Sequence, residues 1–411
     1  MVPSTMTQPA PPANDARVLA LIGTGHFLSH FYVLCLPPLF LAWGGEFGVS
    51  FAALGLSVAL MSGVTAVLQT PVGFLVDRHG ARPFLVGGTL LMALSVTAMG
   101  FATEYWQILL LCALSGVGNS VIHPADYAIL AGSIDKSRMG RAFAMHTFTG
   151  NLGFAAGPPV MAVLMTALGW RWGVVAVGLA GLPVVLAILW QSRVLREQVR
   201  PAANTGSGAV SGTQLLTSRP MLLFFGFFLL SAMAGAGLQA WLITALHQLH
   251  GMEIATASLA LTMYMAGATA GVLAGGWIAD NTTRHLPAVI GLTCVAVVFV
   301  LLTEWLRISD TVTIATIFLG GIFLGASRTP RDIMVKDAAP PGQIGKVFGF
   351  VSSGLPLGQA ITPMPFGALI DWGRPDLILP LSAALMMASL LFAGGGRAAG
   401  AMAPVRVQPA E

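Results

Sequence analysis

Charged side chains are scarce in this chain. Of its 411 residues only 9% are Asp, Glu, Lys or Arg, whereas 55% are hydrophobic. Soluble globular domains carry about 25% charged residues, so the composition excludes a water-soluble protein. The basic residues are scattered, and no basic helix carries interleaved aromatic side chains, which excludes nucleic acid as a partner.

Cysteines and catalytic motifs are also few. The three cysteines, Cys35, Cys112 and Cys294, lie in apolar runs and form neither a disulfide framework nor a zinc site. The sequence contains no nucleophile elbow, phosphate-binding loop or zinc-enzyme signature. We therefore expect no enzyme and no cofactor. Without an ATP site, any pumping must draw on an ion gradient.

Long apolar runs fill most of the chain instead. About 20 helical residues cross the ~30 Å hydrocarbon core of a bilayer, and most of the runs reach this length. We predict an all-α membrane protein with twelve transmembrane helices in two six-helix halves. The predicted spans are residues 18–41, 52–76, 83–101, 106–131, 142–168, 172–191, 221–246, 255–279, 287–306, 311–335, 347–370 and 377–396.

The segments outside these spans are polar. Residues 1–17 are rich in Pro, Ala and Thr, and we expect a disordered cytoplasmic tail rather than a signal peptide. Residues 192–220 are basic and then rich in Gly and Ser, which is typical of a flexible linker. This linker separates a first half, 18–191, from a second half, 221–396. Residues 397–411 form a second cytoplasmic tail.

The basic residues predict the orientation, because Lys and Arg concentrate in cytoplasmic loops. With the loop around Asp77 in the cytoplasm, fifteen of the 20 Lys and Arg residues face the cytoplasm. Only Arg171, Arg307 and Arg374 face the other side. This bias predicts cytoplasmic termini and a multi-pass protein of a bacterial inner membrane, with the lipid bilayer as its surroundings.

The chain repeats itself at about half its length. The charged loop GFLVDRHGAR at 73–82 returns in degenerate form as GGWIADNTTR at 275–284, which lacks the central arginine and glycine. HPAD at 123–126 returns as TPRD at 329–332 at nearly the same separation. Two related six-helix halves follow from this duplication, and the second loop should be a weaker version of the first.

The loop at 73–82 resembles the signature loop of the major facilitator superfamily of transporters. The matching residues are Gly73, Leu75, Asp77, Arg78, Gly80 and Arg82. The resemblance implies two parallel repeats with a solute site between them near the membrane midplane. It also implies that the loop forms a cytoplasmic gate, to which Asp280 of the second copy contributes. In this gate Asp77 would face the start of the eleventh span, near Gly345 and Lys346.

A narrower resemblance lies within the superfamily. GVGNSVIHPAD in the fourth span and GxxxGPP in the fifth are similar to the fosmidomycin-resistance branch of bacterial exporters. The antiporter pattern GxxxGPxxGG is incomplete, because Gly153, Gly157 and Pro158 match but the final glycine pair is missing. Cys112 stands about where many proton antiporters carry an arginine. These departures count against export by proton exchange.

The tenth span carries two arginines, Arg328 and Arg331. Charged residues inside a membrane usually face a cavity, and the functional interpretation is an anion-binding or gating pair. In the alternative, Arg328 is neutralised by Asp332 one helical turn away, and Arg331 extends to the lipid headgroups.

The resemblance implies that spans 1, 4, 7 and 10 line the cavity, and spans 1 and 4 carry further candidates. His26, His30 and His123 are candidate substrate-binding residues. Asp126 is either a proton-coupling carboxylate or a helix-end carboxylate in contact with water. We predict no metal, because the two histidines of span 1 have no third or fourth ligand in that span.

Three other features of the spans have structural interpretations. His146 and Tyr264, with other polar residues of the spans, are predicted to pack between helices. Pro124 and Pro330 should bend the fourth and tenth spans at matching depths. The glycines spaced four apart in 267–275 predict close helix contact within the fold rather than dimerisation, and we expect a monomer.

These features predict a secondary active transporter. It should move a small organic solute, best interpreted as an organic anion, by alternating access with proton coupling. One alternative is a drug or metabolite efflux antiporter. An alternative of another class is a non-transporting membrane sensor on the same fold.

Overall fold

The structure is a computed structural model that describes residues 12–135, 138–196, 218–306, 308–339, 347 and 350–401. Within these ranges the regular elements are helices and no strand is present. Ten helical stretches in them are long and apolar enough to cross a membrane. One of the ten, Ala142–Val194, includes both predicted spans 142–168 and 172–191. The predicted eleventh span, 347–370, is only partly described. The all-α membrane fold is confirmed.

The α-helices are numbered in chain order. They are α1 (Pro12–Leu34), α2 (Phe40–Phe47), α3 (Phe51–His79), α4 (Ala81–Met99), α5 (Tyr105–Asn119), α6 (Ile122–Ser133), α7 (Met139–Leu179), α8 (Gly181–Gln191), α9 (Arg219–His250), α10 (Ile254–Asn281), α11 (His285–Trp305), α12 (Asp310–Ala326), α13 (Arg328–Ala338), α14 (Gly354–Ile361), α15 (Pro363–Asp371) and α16 (Ile378–Ala401).

The chain divides into two compact units, the first formed by residues 1–39 and 64–203. In this unit α1 packs along α7, and α4 packs against α5, α6, α7 and α8. The backbones of α1 and α7 approach closely, because a Cβ atom at Gly153 would lie only 2.2 Å from the carbonyl oxygen of Phe27. At Gly169 φ is 75°, a backbone conformation that favours glycine, and the helical path of α7 is interrupted there.

The second unit is formed by residues 40–63 and 204–411. Its most extensive helix pairs are α10 with α12 and α9 with α16. A Cβ atom at Gly267, Gly271 or Gly275 would lie 2.0–2.3 Å from a backbone carbonyl oxygen of α12. The prediction of close helix contact within the fold at these glycines is confirmed.

Each of the two prolines predicted to bend its span lies just after a break in the helix. The fourth span is broken between α5 and α6, just before Pro124, and the tenth between α12 and α13, just before Pro330. Proline has no N–H to donate to the carbonyl four residues earlier, so the helix loses a hydrogen bond at that point. At each break a serine, Ser120 or Ser327, donates its hydroxyl to the carbonyl three residues earlier at 2.7 Å.

Several predicted boundaries need correction. α1 begins at Pro12, so the last residues of the predicted disordered tail 1–17 are helical. Proline suits the first turn of a helix, and Asp15 in that turn is favoured by the helix dipole and pairs with Arg138. α16 continues to Ala401, past the predicted end at 396. Residues 197–217, most of the predicted linker, lie outside the described part of the chain.

A carboxylate joins the end of α15 to the start of α3 within the second unit. The Phe51 and Ala52 N–H groups donate to the two carboxylate oxygens of Asp371 at 2.7 and 2.8 Å. A helix N-terminus carries unpaired N–H groups and partial positive charge, so this carboxylate caps α3 in the way that an N-cap side chain does. The Asp371 carboxylate thus links two segments that are far apart in the sequence.

Asp371→Asn should therefore lower the melting temperature of the purified protein. An amide keeps one acceptor oxygen but loses the charge and the second acceptor, and losing a cap costs about 0.5–2 kcal/mol. The measurement is thermal unfolding in detergent. The matched control is Asp376→Asn, because Asp376 makes an exposed ion pair with Arg374 and such pairs contribute little. Equal melting temperatures for the two variants would contradict the capping role.

Candidate functional site

Four histidines and one aspartate meet in the first unit. α1 contributes His26 and His30, which are four residues apart and therefore share a face of the helix. α6 contributes His123 and Asp126, and α7 contributes His146. We call these five residues the histidine cluster. The ring centroid of His26 lies 4.4, 5.0 and 3.8 Å from those of His30, His123 and His146 respectively.

Hydrogen bonds connect three members of the cluster. His146 donates its Nε2–H to Oδ2 of Asp126 at 2.8 Å, and His26 donates its Nδ1–H to the backbone carbonyl of His146, also at 2.8 Å. A carbonyl oxygen only accepts, so the proton of a neutral His26 is on Nδ1 and its lone pair is on Nε2. Asp126 and His146 are buried, which excludes the alternative of Asp126 as a helix-end carboxylate in contact with water.

The cluster also contains buried polar atoms without a partner. In the described part of the chain no hydrogen-bond partner is present for Nε2 of His26, Nδ1 of His30, Nδ1 of His123 or Oδ1 of Asp126. Buried polar atoms are normally hydrogen-bonded. Gly150 of α7 lets that helix pack directly against them, because a Cβ atom there would lie only 2.8 Å from Nδ1 of His30. These four atoms are therefore not committed to a hydrogen bond with a described residue.

The fold brings together four residues that the sequence singled out separately: His26, His30, His123 and Asp126. The sequence interpretation of His146 as a packing residue misses its part in the cluster. A signal was present, because an ionisable side chain in an otherwise apolar span needs a polar partner. Local sequence does not say which partner it finds.

Arg331 of the second unit contacts two neighbouring side chains. It lies near the start of α13, within the candidate span Asp310–Ala338. One of its guanidinium nitrogens is 2.9 Å from Oδ1 of Asp332, and the guanidinium lies 4.0 Å from the centre of the Phe228 ring. This arrangement satisfies Arg331 with an ion pair and a cation–π contact.

Arg328 is placed differently from Arg331. No described residue forms an ion pair with it, and the hydroxyl of the buried Tyr264 is close enough to interact with its charge. Asp332 forms its ion pair with Arg331, but its charge also acts on Arg328, so neutralisation of Arg328 by Asp332 stays a prediction. Arg328 is thus a partly buried cation inside a membrane span, with the charge of Asp332 nearby but in no ion pair with a described residue. The interpretation of Tyr264 as packing overlooks its position beside this charge.

The charged loop is tighter than predicted. α3 continues through Asp77 to His79, and α4 begins at Ala81, so the turn consists of Gly80 alone, with φ of 90°. A single residue suffices because glycine adopts positive φ without a Cβ clash. Gly73 and Arg78 lie in the last turns of α3 and Arg82 in the first turn of α4.

The second copy of the loop is the looser of the two. Asp280 is exposed near the end of α10, and residues 282–284 separate this helix from α11. Gly345 and Lys346 lie outside the described residues. The gating role of both loops stays a prediction.

Comparison with known proteins identifies the family. The model of the Major Facilitator Superfamily matches residues 22–257 and 233–403. The chain belongs to the Major Facilitator Superfamily. It is 24% identical to the fosmidomycin resistance protein of Escherichia coli (strain K12), over 91% of both chains. It is 25% identical to the "Probable L-galactonate transporter" of the same strain, over 57% of this chain and 55% of that one.

A solved structure supports the fold. A bacterial homolog of the human lysosomal transporter Spinster, in an inward-facing and occupied conformation, aligns with a TM-score of 0.75 at 16% identity and covers 95% of this chain and 97% of its own. Members of the superfamily are transporters and not enzymes. This major facilitator protein is therefore a multi-pass membrane transporter of a small-molecule solute.

Proposed function

We propose that this major facilitator protein moves a small organic anion by alternating access, coupled to protons, in the bacterial inner membrane with both termini in the cytoplasm. The observation that carries the proposal is Arg328. A cation in a membrane span is costly unless it is paired or serves a ligand. Its neighbour Arg331 forms an ion pair with Asp332, whereas no described carboxylate forms an ion pair with Arg328.

The chemistry of Arg328 fits an anionic solute. A guanidinium group is a planar fork that binds a carboxylate or phosphate through two parallel hydrogen bonds. The adjacent Tyr264 hydroxyl supplies one further polar group beside it. The relative named as an L-galactonate transporter supports this substrate class, because a galactonate carries a carboxylate.

The histidine cluster is the proposed proton-coupling site. Its carboxylate, Asp126, is buried and bonded to His146. The other titratable groups around it are His26, His30 and His123 of the cluster and Tyr127 of α6, whose ring centroid lies 5.5 Å from that of His146. Asp126 can exchange a proton with these neighbouring groups, and the proton then stays inside the protein. We keep His26, His30 and His123 as candidate solute contacts of the first unit.

Asp126→Asn should abolish accumulation driven by a pH gradient. The amide cannot be ionised, so it cannot take up and release a proton in each cycle. The measurement is uptake of labelled galactonate into proteoliposomes with and without an imposed pH gradient. Asp337→Asn, which removes an exposed carboxylate near the end of α13, is the matched control and should accumulate like wild type. Gradient-driven accumulation by Asp126→Asn would rule out coupling through this residue.

The substrate class itself is tested by ligand-induced stabilisation. A solute that binds only the folded state raises the melting temperature. Purified protein should be stabilised by at least one small organic anion in a panel that includes galactonate, and not by the matched neutral sugars. Stabilisation by neutral or cationic compounds alone would overturn the anion assignment.

A second candidate function, drug efflux, is favoured by a specific observation. The fosmidomycin resistance protein of Escherichia coli aligns with 91% of the chain. If efflux is the function, expression in a fosmidomycin-sensitive bacterium should raise the inhibitory concentration of that compound. An Arg328→Ala variant expressed at the same level is the control.

A further inference from the structure

We propose that His26, His30 and His123 bind one divalent transition-metal ion, such as Zn²⁺, Co²⁺ or Ni²⁺. Each of the three rings has a buried nitrogen without a hydrogen-bond partner among the described residues. The candidate ligand atoms all lie within 4.8 Å of one another. Imidazole nitrogen is a preferred ligand of these metals, whereas Mg²⁺ and Ca²⁺ prefer oxygen. Span 1 by itself lacks a third ligand, so its sequence alone predicts no metal, but His123 of α6 supplies that ligand.

The tautomer of His26 is the one that a metal ligand requires. Its Nδ1–H is donated to the His146 carbonyl at 2.8 Å, which leaves the lone pair on Nε2, the atom without a partner. Histidines that bind metals donate their other ring N–H to a carbonyl or carboxylate in the same way, and this bond fixes the ring orientation. The backbone carbonyl thus holds His26 ready to coordinate.

The backbone carbonyl of His146 has the position of an outer-shell group, and the Asp126 carboxylate is bonded to the ring of the same residue. The His146 ring stacks on that of His26 with 3.8 Å between centroids and is itself held by the Asp126 carboxylate. The negative charge of Asp126 offsets part of the charge of a divalent ion in the membrane interior. Three imidazole ligands leave an open coordination position, as in zinc sites that accept a water or an external ligand.

Direct metal binding by the full-length protein in detergent tests the proposal. Co²⁺ should bind with one ion per chain, measured by calorimetry and by the absorption of the cobalt–imidazole complex, and Zn²⁺ should compete for the site. Zn²⁺ should raise the melting temperature and Mg²⁺ should not. His123→Gln should abolish this binding. His146→Gln should retain most of it, because His26 donates to the backbone carbonyl of residue 146, which this substitution keeps.

The matched control is His79→Gln, because His79 is an exposed histidine of the same unit and its loss should leave binding unchanged. A His123→Gln variant that fails to fold can be replaced by His30→Gln, and the wild-type comparison of Zn²⁺ with Mg²⁺ needs no variant. Absence of Co²⁺ binding by wild type, or equal binding by His123→Gln and His79→Gln, would overturn the site. Neither result depends on transport, so failure here leaves the anion-transport proposal untouched.

Discussion

Substituting alanine for Gly271 should strongly destabilise the protein, and valine should leave little folded material. A Cβ atom at this position would lie 2.0 Å from the carbonyl oxygen of Ile322 and 2.8 Å from its carbonyl carbon. Both are backbone atoms, so no side-chain rotation relieves the clash, and α10 and α12 must move apart. Forcing extra volume into a close-packed contact costs about 1–3 kcal/mol. Here the cost should reach the upper end of that range, because the whole helix pair is displaced.

The measurement is the melting temperature and the monodisperse fraction in size-exclusion chromatography. Gly276→Ala is a matched control on the same helix, because nothing lies within 4 Å of a Cβ atom at that position. It should be neutral or slightly stabilising, since alanine is the better helix former. A Gly271→Ala variant as stable as Gly276→Ala would show that the α10–α12 contact is looser than described.

This helix contact was predictable because its signal is local. Glycines at 267, 271 and 275 repeat at a helical spacing, and such a stripe of small residues marks a face that a neighbouring helix approaches. The breaks before Pro124 and Pro330 were predictable for the same reason, since the missing N–H acts on the carbonyl four residues earlier. Features of this kind depend on residues within one or two helical turns.

The boundaries of α1 and α3 were less predictable. The hydrophobicity that defines a span ends before the helix does, so the sequence predicts a loop at Asp77, Arg78 and His79 although their helix continues through them. Hydrogen bonding along the backbone, rather than apolarity, decides where a helix ends. At its N-terminal end, α1 extends into the predicted tail and begins at Pro12, because proline and Asp15 suit the first turn of a helix.

The histidine cluster was only half predictable. Sequence placed His26 and His30 on one face, because the spacing is local. Their contacts with His123 on α6 and His146 on α7 depend on which helices become neighbours. Gly150 and Gly153 allow α7 to approach α1 so closely, but a glycine does not specify the helix that it will contact. A three-ligand arrangement assembled from separate helices therefore requires the fold.

The arginine pair of the tenth span gives the sharpest functional prediction. Arg328→Ala should lose at least ~30-fold in apparent affinity for an organic anion, because removing a desolvated charge partner costs about 2–5 kcal/mol and each 1.4 kcal/mol is tenfold. Arg328→Lys should also transport poorly, since an ammonium group does not reproduce the planar two-donor fork. The measurements are uptake into proteoliposomes and the ligand-induced shift in melting temperature.

Arg331→Ala provides the matched comparison on the same helix. Arg331 is committed to Asp332 and to the Phe228 ring, so its removal should lower stability while affecting anion affinity less than Arg328→Ala does. Asp332→Ala extends the comparison: it should leave the affinity set by Arg328 intact, because the structure pairs Asp332 with Arg331 and not with Arg328.

If Arg328→Ala is inactive but the double variant with Asp332→Ala recovers transport, then Arg328 serves only to neutralise Asp332. Recovery of that kind, with Arg331→Ala near wild type, would remove the anion site and favour a neutral or cationic solute.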